Sequence, residues 1–153
     1  MTPQEYLELK SISFRTITLA NEVHTAQDVA IQCGCDVKTV IKSLVFWSDK
    51  GFALAAVSGD SRVSLAKLAK ALGVTKVRLA TAEETKLVTG YLIGTVSPFG
   101  LNDIDDIHFD KEFLVNKSEL LFGSGRADTL IAIFSDEMIK SDTFQFADIS
   151  EPN

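Results

Sequence analysis

Apolar and polar positions along this chain follow two periods, and the switches between them mark out its elements. Thr2-Pro3-Gln4-Glu5 combines a capping residue, a proline at the first helical position and a glutamate three residues on. It predicts a helix to about Lys10. Phe14–Leu19 is β-branched and apolar and predicts a strand. Thr25-Ala26-Gln27-Asp28 opens a second helix that Gly34 ends, and Asp36 caps a further short turn. Lys42–Trp47 and Phe52–Ser58 are strands of a hairpin joined by Ser48-Asp49-Lys50-Gly51. Ser64 caps a helix with Leu65, Leu68, Ala69 and Leu72 on one face, closed by Gly73. Lys76–Leu79 is a short strand, and Thr81-Ala82-Glu83-Glu84 is a second capping box whose helix stops at Gly90. Strand patterns follow at His108–Val115, Leu120–Phe122 and Thr129–Phe134. Ser135 caps a last short helix before a final strand over Phe144–Ile149. Helices interspersed with hairpin-joined strands predict one α/β domain over residues 1–153. Its sheet is mixed, mostly antiparallel, and can curl toward a barrel-like core flanked by helices.

Composition narrows the classes. A chain of 153 residues, 46% hydrophobic, can bury most of its apolar surface in one core. A formal charge of −6 argues against a sequence-independent nucleic-acid coat, which would be basic. The charge is uneven, however. Lys38, Lys42, Arg62, Lys67, Lys70, Lys76 and Arg78 cluster mid-chain, whereas Asp103, Asp105, Asp106 and Asp110 follow later, so an anionic ligand is expected near the middle. The N-terminus lacks a basic and then apolar leader pattern, and no apolar run reaches membrane-spanning length. Cys33 and Cys35, one residue apart, fit neither a disulfide framework nor a zinc ribbon. With His24 and His108 they would make four ligands only if distant segments converged tightly. A reduced cytoplasmic protein without metal, cofactor or membrane partner is expected.

The candidate chemistry lies in three glycine-bearing loops and one lysine. Gly90–Gly100 holds three of the chain's nine glycines and one of its three prolines. Such a loop is stiff and exposes N–H groups that can hold a carbonyl or phosphate ester, though it also reads as a plain tight connection. Val57–Arg62 and Gly123–Asp128 are two further loops, and each could be a turn in which Asp60 or Asp128 bonds its own backbone. Strand alternation puts Lys42 on one face with Leu44 and Phe46. If that face is apolar core, the ammonium emerges at its rim, where it acts on a substrate more strongly than in bulk water. Otherwise it is a lysine snorkelling from a strand end. With two histidines no Ser-His-Asp set is compelling, and no Walker, Rossmann or paired-carboxylate pattern is present.

The order of these features resembles the YbaK/prolyl-tRNA-editing family, also found as an inserted domain in bacterial prolyl-tRNA synthetases. The matching pieces are Thr25–Ala30, Val40–Phe46, Val57–Arg62, Leu87–Tyr91, Gly94–Gly100 and Gly123–Arg126. The likeness runs from about Phe14 to Ile149. It implies a curled mixed sheet flanked by helices and hydrolysis of the ester joining a wrong amino acid to tRNA, without a metal. Lys42 takes the position of the family's catalytic lysine, and Gly94, Thr95, Val96, Ser97 and Pro98 that of its substrate-holding GxxxP loop. Gly59, Asp60, Gly123, Ser124, Gly125 and Asp128 are expected to complete the substrate site. The implied partners are the acceptor end of mischarged tRNA and an aminoacyl-tRNA synthetase, as a monomer or homodimer. The implied substrates are tRNAs, that for proline first, carrying Ala, Cys or Ser. The chain departs from relatives at Thr95, where many have a second glycine, at His24, where several have arginine, and near Leu19, where some have tyrosine. Those departures leave open a second reading, a non-catalytic module that binds aminoacyl-tRNA, a nucleotide or a protein partner, and a third, a purely structural interaction protein.

Overall fold

The hairpin expected in the middle of the chain is the spine of the molecule. The computed structural model describes residues 1–153. In chain order the helices are α1 (Pro3–Leu9), α2 (Ala26–Cys33), α3 (Leu65–Leu72), α4 (Ala82–Thr89) and α5 (Ser135–Lys140). The first strands are β1 (Arg15–Thr18), β2 (Ile41–Ser48), β3 (Gly51–Ser58), β4 (Ser61–Val63) and β5 (Val77–Leu79). The later ones are β6 (Asp106–Asp110), β7 (Glu119–Gly123), β8 (Thr129–Phe134), β9 (Gln145–Ala147) and β10 (Ser150–Pro152). Single 3-10 turns at Val37–Thr39 and Lys111–Leu114 complete the set. The helix ends follow their capping chemistry: Thr2, Thr25, Ser64 and Thr81 each accept a backbone N–H of the first turn. Gly34, Gly73 and Gly90 close α2, α3 and α4 in the left-handed conformation.

β2 and β3 pair antiparallel from Ile41↔Ser58 to Ser48↔Gly51. The Ser48 hydroxyl donates to the Gly51 carbonyl at 2.6 Å, locking the two-residue turn. β5 joins the free side of β2 antiparallel, and β6 and β9 extend β3 in parallel, giving the order β5-β2-β3-β6-β9. β3 has neighbours on both edges and layers on both faces, which explains its run of small apolar residues. Leu54 and Ala56 point into the main core with Phe99, Phe109 and Phe122. Ala55 and Val57 point the other way, into a smaller cluster with Phe46, Leu68 and Ile149 beneath α3. The main core is built on aromatic edges: Phe99 meets Phe122 edge-on at 5.1 Å and Phe109 meets Phe144 at 5.2 Å between ring centroids.

A second, antiparallel sheet runs in the order β1-β8-β7, and β4 pairs with β10. A single parallel bridge, Val40↔Leu121, joins β7 to the start of β2. No sheet closes on itself, so the curled barrel expected from the sequence resolves into three sheets that meet without a continuous ladder. The two larger ones splay beyond that bridge, and the gap they leave matters below.

Several boundaries differ from the sequence pattern. The strand expected over His108–Val115 ends at Asp110, whose carboxylate is fully buried and accepts from Ser150 Oγ at 2.5 Å. The chain then turns tightly so that Phe113 enters the core while Val115 faces solvent. Ser135 does not cap α5 but is its first residue; its hydroxyl accepts the Ser118 N–H at 3.1 Å and ties the start of β7 to the end of β8. The final strand splits into β9 and β10, and β4, read from sequence as the exit of a turn, is the partner that draws β10 away. Leu65 is exposed, and α3 buries Leu68 with Ala71 and Leu72 at its edges.

Arg78 of β5 grips Glu84 in the first turn of α4 with two hydrogen bonds, at 2.8 and 3.0 Å. Glu84 also accepts the Thr81 N–H, and these donors hold its carboxyl down at about 2, with the Arg78 bond the largest cause. A folded-state value below the unfolded one gives stability that is present above the unfolded carboxyl range and lost as pH falls toward 2. Urea unfolding of wild type and Glu84→Gln should therefore differ at pH 6 and converge as pH falls to about 2. A gap that stays constant over that interval would show that the pair contributes nothing through ionisation.

Candidate functional site

The gap between β2 and β7 is a cavity of about 380 Å3. His24, Thr25 and Ala26 at the start of α2 form one wall, and Val40–Leu44 of the β2 edge form another. Ile93–Val96 closes the top, and Leu121–Gly123 with Arg126 and Leu130 closes the far side. Most of the lining is apolar, so a charge brought into it is felt strongly. The β2 edge is available because β5 pairs only with Phe46–Ser48. Had the ladder between β2 and β7 continued, the site would be filled.

Lys42 lies on this edge, on the strand face that carries Phe46 toward α3. Its side chain is half-buried, and its ammonium donates to the Ser61 carbonyl. Burial pushes its pKa below the usual lysine value, and the negative charge of Asp60 opposes that shift. Ser43 points to the opposite face of β2, the face that carries Ile41 and Val45 into the main core, and it too contributes to the cavity lining. Its hydroxyl is buried without a partner. Sequence reading passed over Ser43 because a serine in a strand next to a conspicuous lysine carries no signal of its own. The signal lay in its phase, shared with Ile41 and Val45.

The loop above the cavity is held from below. Val96, Ser97, Pro98 and Phe99 are buried in succession, and Phe99 is the hub of the aromatic core. Gly94 and Thr95 are left at the cavity. Gly94 adopts φ +88, a conformation that favours glycine. Thr95 donates both its N–H (3.0 Å) and its hydroxyl (2.7 Å) to the Leu92 carbonyl, which turns the loop tightly over the site. The Gly94 and Val96 amides are bonded to no main-chain carbonyl, and both residues line the cavity. Two amides without an internal acceptor, on residues lining an apolar pocket that also has Lys42 in its wall, suit an ester carbonyl that gains negative charge.

Of the residues expected to build the site, Lys42, Gly94, Thr95, Val96 and Gly123 do line this cavity. Gly123 also supports the loop, and the remaining expected residues lie outside the lining. The Gly123 Cα approaches the Val96 carbonyl so closely that a Cβ would collide with it. Gly125 donates to the Thr95 carbonyl at 2.8 Å and lies beneath the Tyr91 ring, where a Cβ would come within 2.5 Å. Ser124 spends its hydroxyl on Thr129, its main-chain carbonyl at 2.8 Å and its own hydroxyl at 2.6 Å. Ser97 and Pro98 are buried behind the loop. Asp128 accepts two 2.9 Å bonds from the Arg126 guanidinium, and Arg126 is itself among the residues lining the cavity. Gly59 presses against Ala26 and Val37, and Asp60 faces a separate polar cleft of about 810 Å3 that also holds Lys38, Lys67 and Asp148. His24 lines the cavity, His108 bonds Asp106 at 2.8 Å, and Cys33 and Cys35 lie at the far end of α2. No helix is long and apolar enough to cross a membrane.

Residues 20–141 match the family profile of the aminoacyl-tRNA editing domain. The chain is 31% identical over 106 residues to the proline–tRNA ligase of Nitratidesulfovibrio vulgaris (strain DP4), which covers 69% of this chain but 18% of that enzyme. It therefore spans about a fifth of the length of the ligases it matches. It is 28% identical over 127 residues to an Enterococcus faecalis protein named as a candidate Cys-tRNA(Pro)/Cys-tRNA(Cys) deacylase, covering 82% of this chain and 77% of that one. A solved structure described as a candidate trans-editing enzyme for prolyl-tRNA synthetase superposes with a TM-score of 0.84 at 32% identity, over 97% of this chain and 94% of that one.

Two substitutions test the support of the loop. Gly123→Ala should displace Val96 and cost roughly 1–3 kcal/mol of stability, as overpacking does. In Gly94→Ala the new Cβ would face the His24 carbonyl at 3.4 Å from a left-handed backbone, so the cost is conformational, about 1–2 kcal/mol. Thermal unfolding of both variants is the measurement, and wild-type stability in Gly123→Ala would show that the loop does not rest on β7 as described.

Proposed function

This chain belongs to the aminoacyl-tRNA editing domain family, and we propose that it is a trans-acting deacylase for small amino acids mischarged onto tRNA, that for proline first. The observation that carries the reading is the apolar cavity between β2 and β7, whose lining includes Lys42 together with Gly94 and Val96, two residues whose amides have no main-chain acceptor. Similarity along almost the whole chain to a protein described as a candidate trans-editing enzyme supports action in trans. The proposed partners are the acceptor end of mischarged tRNA and the synthetase that produces it.

Aminoacyl esters are activated, so holding the ester and stabilising its charge supply much of the rate. In this reading the aminoacyl group enters the cavity and its carbonyl oxygen points at the Gly94 and Val96 amides. Water attacks the carbonyl carbon and negative charge gathers on that oxygen; the bond to the ribose oxygen then breaks, and the ribose oxygen takes up the proton that the attacking water gives up, releasing amino acid and tRNA. Lys42 supplies positive charge at the edge of the apolar lining, where low dielectric strengthens it. Ala, Ser and Cys suit a cavity narrowed by the folded-back Thr95.

The decisive assay is release of amino acid from Ala-, Cys- and Ser-charged tRNA, the tRNA for proline first. No release at high enzyme concentration, together with stabilisation by an aminoacyl-adenosine analogue, would make the chain a binding module instead. Within an active enzyme, Lys42→Ala should lower the rate by roughly 10²–10³ while the fold persists, and Lys42→Met should fail similarly because it keeps length without charge. A Lys42→Ala rate within about threefold of wild type would make it a solvated strand-end lysine.

Thr95→Ser keeps the hydroxyl that bonds Leu92 but removes a methyl group from the cavity wall. It should raise kcat/KM for the larger side chains relative to alanine by about 10-fold or more, the scale of a single methyl group. Equal changes for all three substrates would mean that Thr95 shapes the loop without sensing the side chain.

A further inference from the structure

β2 turns one edge of its backbone toward the gap. Along an antiparallel strand the N–H and C=O of one residue point to one side, and those of the next residue to the other. The Val45 carbonyl accepts the N–H of Ala80, the residue after β5, at 2.9 Å, on the side away from β3. Two residues back, the N–H and C=O of Ser43 leave the strand on that same side. No strand pairs with them there, because β5 begins its pairing at Phe46 and the bridge to β7 lies at Val40. Ser43 lines the cavity in that stretch, between Lys42 and Leu44.

The cavity is short of other acceptors. No aspartate or glutamate lines it. The Thr25 hydroxyl accepts the Asp28 N–H, and the Thr95 hydroxyl is turned onto the Leu92 carbonyl. The Thr95 carbonyl accepts from Gly125, and the Val96 carbonyl is covered by Gly123. A carbonyl on an unpaired strand edge keeps its acceptor capacity, and beside an apolar cavity it gains from any N–H or O–H brought to it.

We propose that the Ser43 main-chain carbonyl accepts a hydrogen bond from the α-amino group of the aminoacyl end, so that the site selects esters with a donor on the α-carbon. The proposal rests on the reading of this cavity as the aminoacyl site and adds the group that recognises the amine. An aminoacyl ester carries its amine on the carbon next to the carbonyl that is attacked. With that carbonyl at the Gly94 and Val96 amides, the amine needs an oxygen acceptor in the same cavity, and the β2 edge supplies one. The apolar lining and the Lys42 charge both favour the neutral amine, which still donates. A backbone acceptor reads the amine common to Ala, Ser and Cys and leaves the side chain to Thr95.

A main-chain carbonyl cannot be removed by substitution, so the substrate is altered instead. The tRNA for proline is charged with alanine, lactate or propionate, which place an amine, a hydroxyl or a hydrogen on the same carbon. Each rate is divided by that ester's own hydrolysis rate in buffer, which removes the difference in activation. Lactyl-tRNA should stay within about 10-fold of alanyl-tRNA in kcat/KM, because a hydroxyl donates to the same carbonyl; propionyl-tRNA should fall about 10²-fold. Ser43→Ala should keep this order. Equal corrected values for alanyl- and propionyl-tRNA overturn the proposal. So does a Ser43→Ala enzyme that no longer distinguishes them, which would assign the contact to the hydroxyl. A second readout does not use activity: in protein labelled with 13C and 15N, an amide-linked alanyl-adenosine should move the Ser43 carbonyl carbon resonance. Its propionyl counterpart should bind more weakly and leave that resonance in place. A Ser43 carbonyl unmoved at saturation with the alanyl compound overturns the proposal. If wild type releases amino acid from no mischarged tRNA, the deacylase reading fails, and this titration still decides whether the β2 edge holds an amine.

Discussion

The site depends on one packing constraint: the segment Val96–Phe99 is buried while the two residues before it are not. Phe99 is locked among Phe109, Phe122 and Phe144, and the Val96 carbonyl rests where Gly123 leaves no Cβ. This fixes the height of the loop above the cavity and frees the Gly94 and Val96 amides from the backbone ladder. An exposed glycine loop of the same composition would lose that preorganisation to its own conformational entropy. Here the aromatic core stabilises the loop from beneath, and a wall of the cavity is β7, which carries Phe122 into that core.

The same economy runs through the sheets. A barrel that closed would pair β2 with β7 along their length and satisfy both edges. The single Val40↔Leu121 bridge leaves the β2 edge from Ile41 to Leu44 at the cavity instead. On that short edge Lys42 and Ser43 point to opposite faces, one toward the Ser61 carbonyl and one toward the main core. In the reading offered above, chemistry comes from position and charge, and the sparse titratable groups of the cavity suit an ester that is already activated.

Much of this was legible in the sequence because capping chemistry is local. Thr2, Thr25, Asp36, Ser64 and Thr81 start their helical segments as their residue types dictate. The hairpin and the family resemblance placed Lys42 and the Gly94–Pro98 loop. What the pattern did not carry was long-range. Nothing local tells that β4 will pair with β10, that Asp110 will be buried against Ser150, or that Ser135 will serve Ser118 and not its own helix. The glycines were read as possible ligand contacts, whereas Gly59, Gly123 and Gly125 are small because another chain segment touches them. A glycine needed for close backbone approach and one needed for a substrate look the same in one sequence.

The account stands on the cavity between β2 and β7 being where an aminoacyl end binds. The most direct test is a titration of 15N-labelled protein with a non-hydrolysable, amide-linked alanyl-adenosine analogue, followed through the backbone amide resonances. The account predicts saturable shifts concentrated at Lys42–Leu44, Gly94–Val96 and Gly123, with the Gly94 and Val96 amides moving furthest as they gain an acceptor. Shifts confined to the polar cleft around Lys67 and Asp148, with those amides unmoved at saturation, would contradict it.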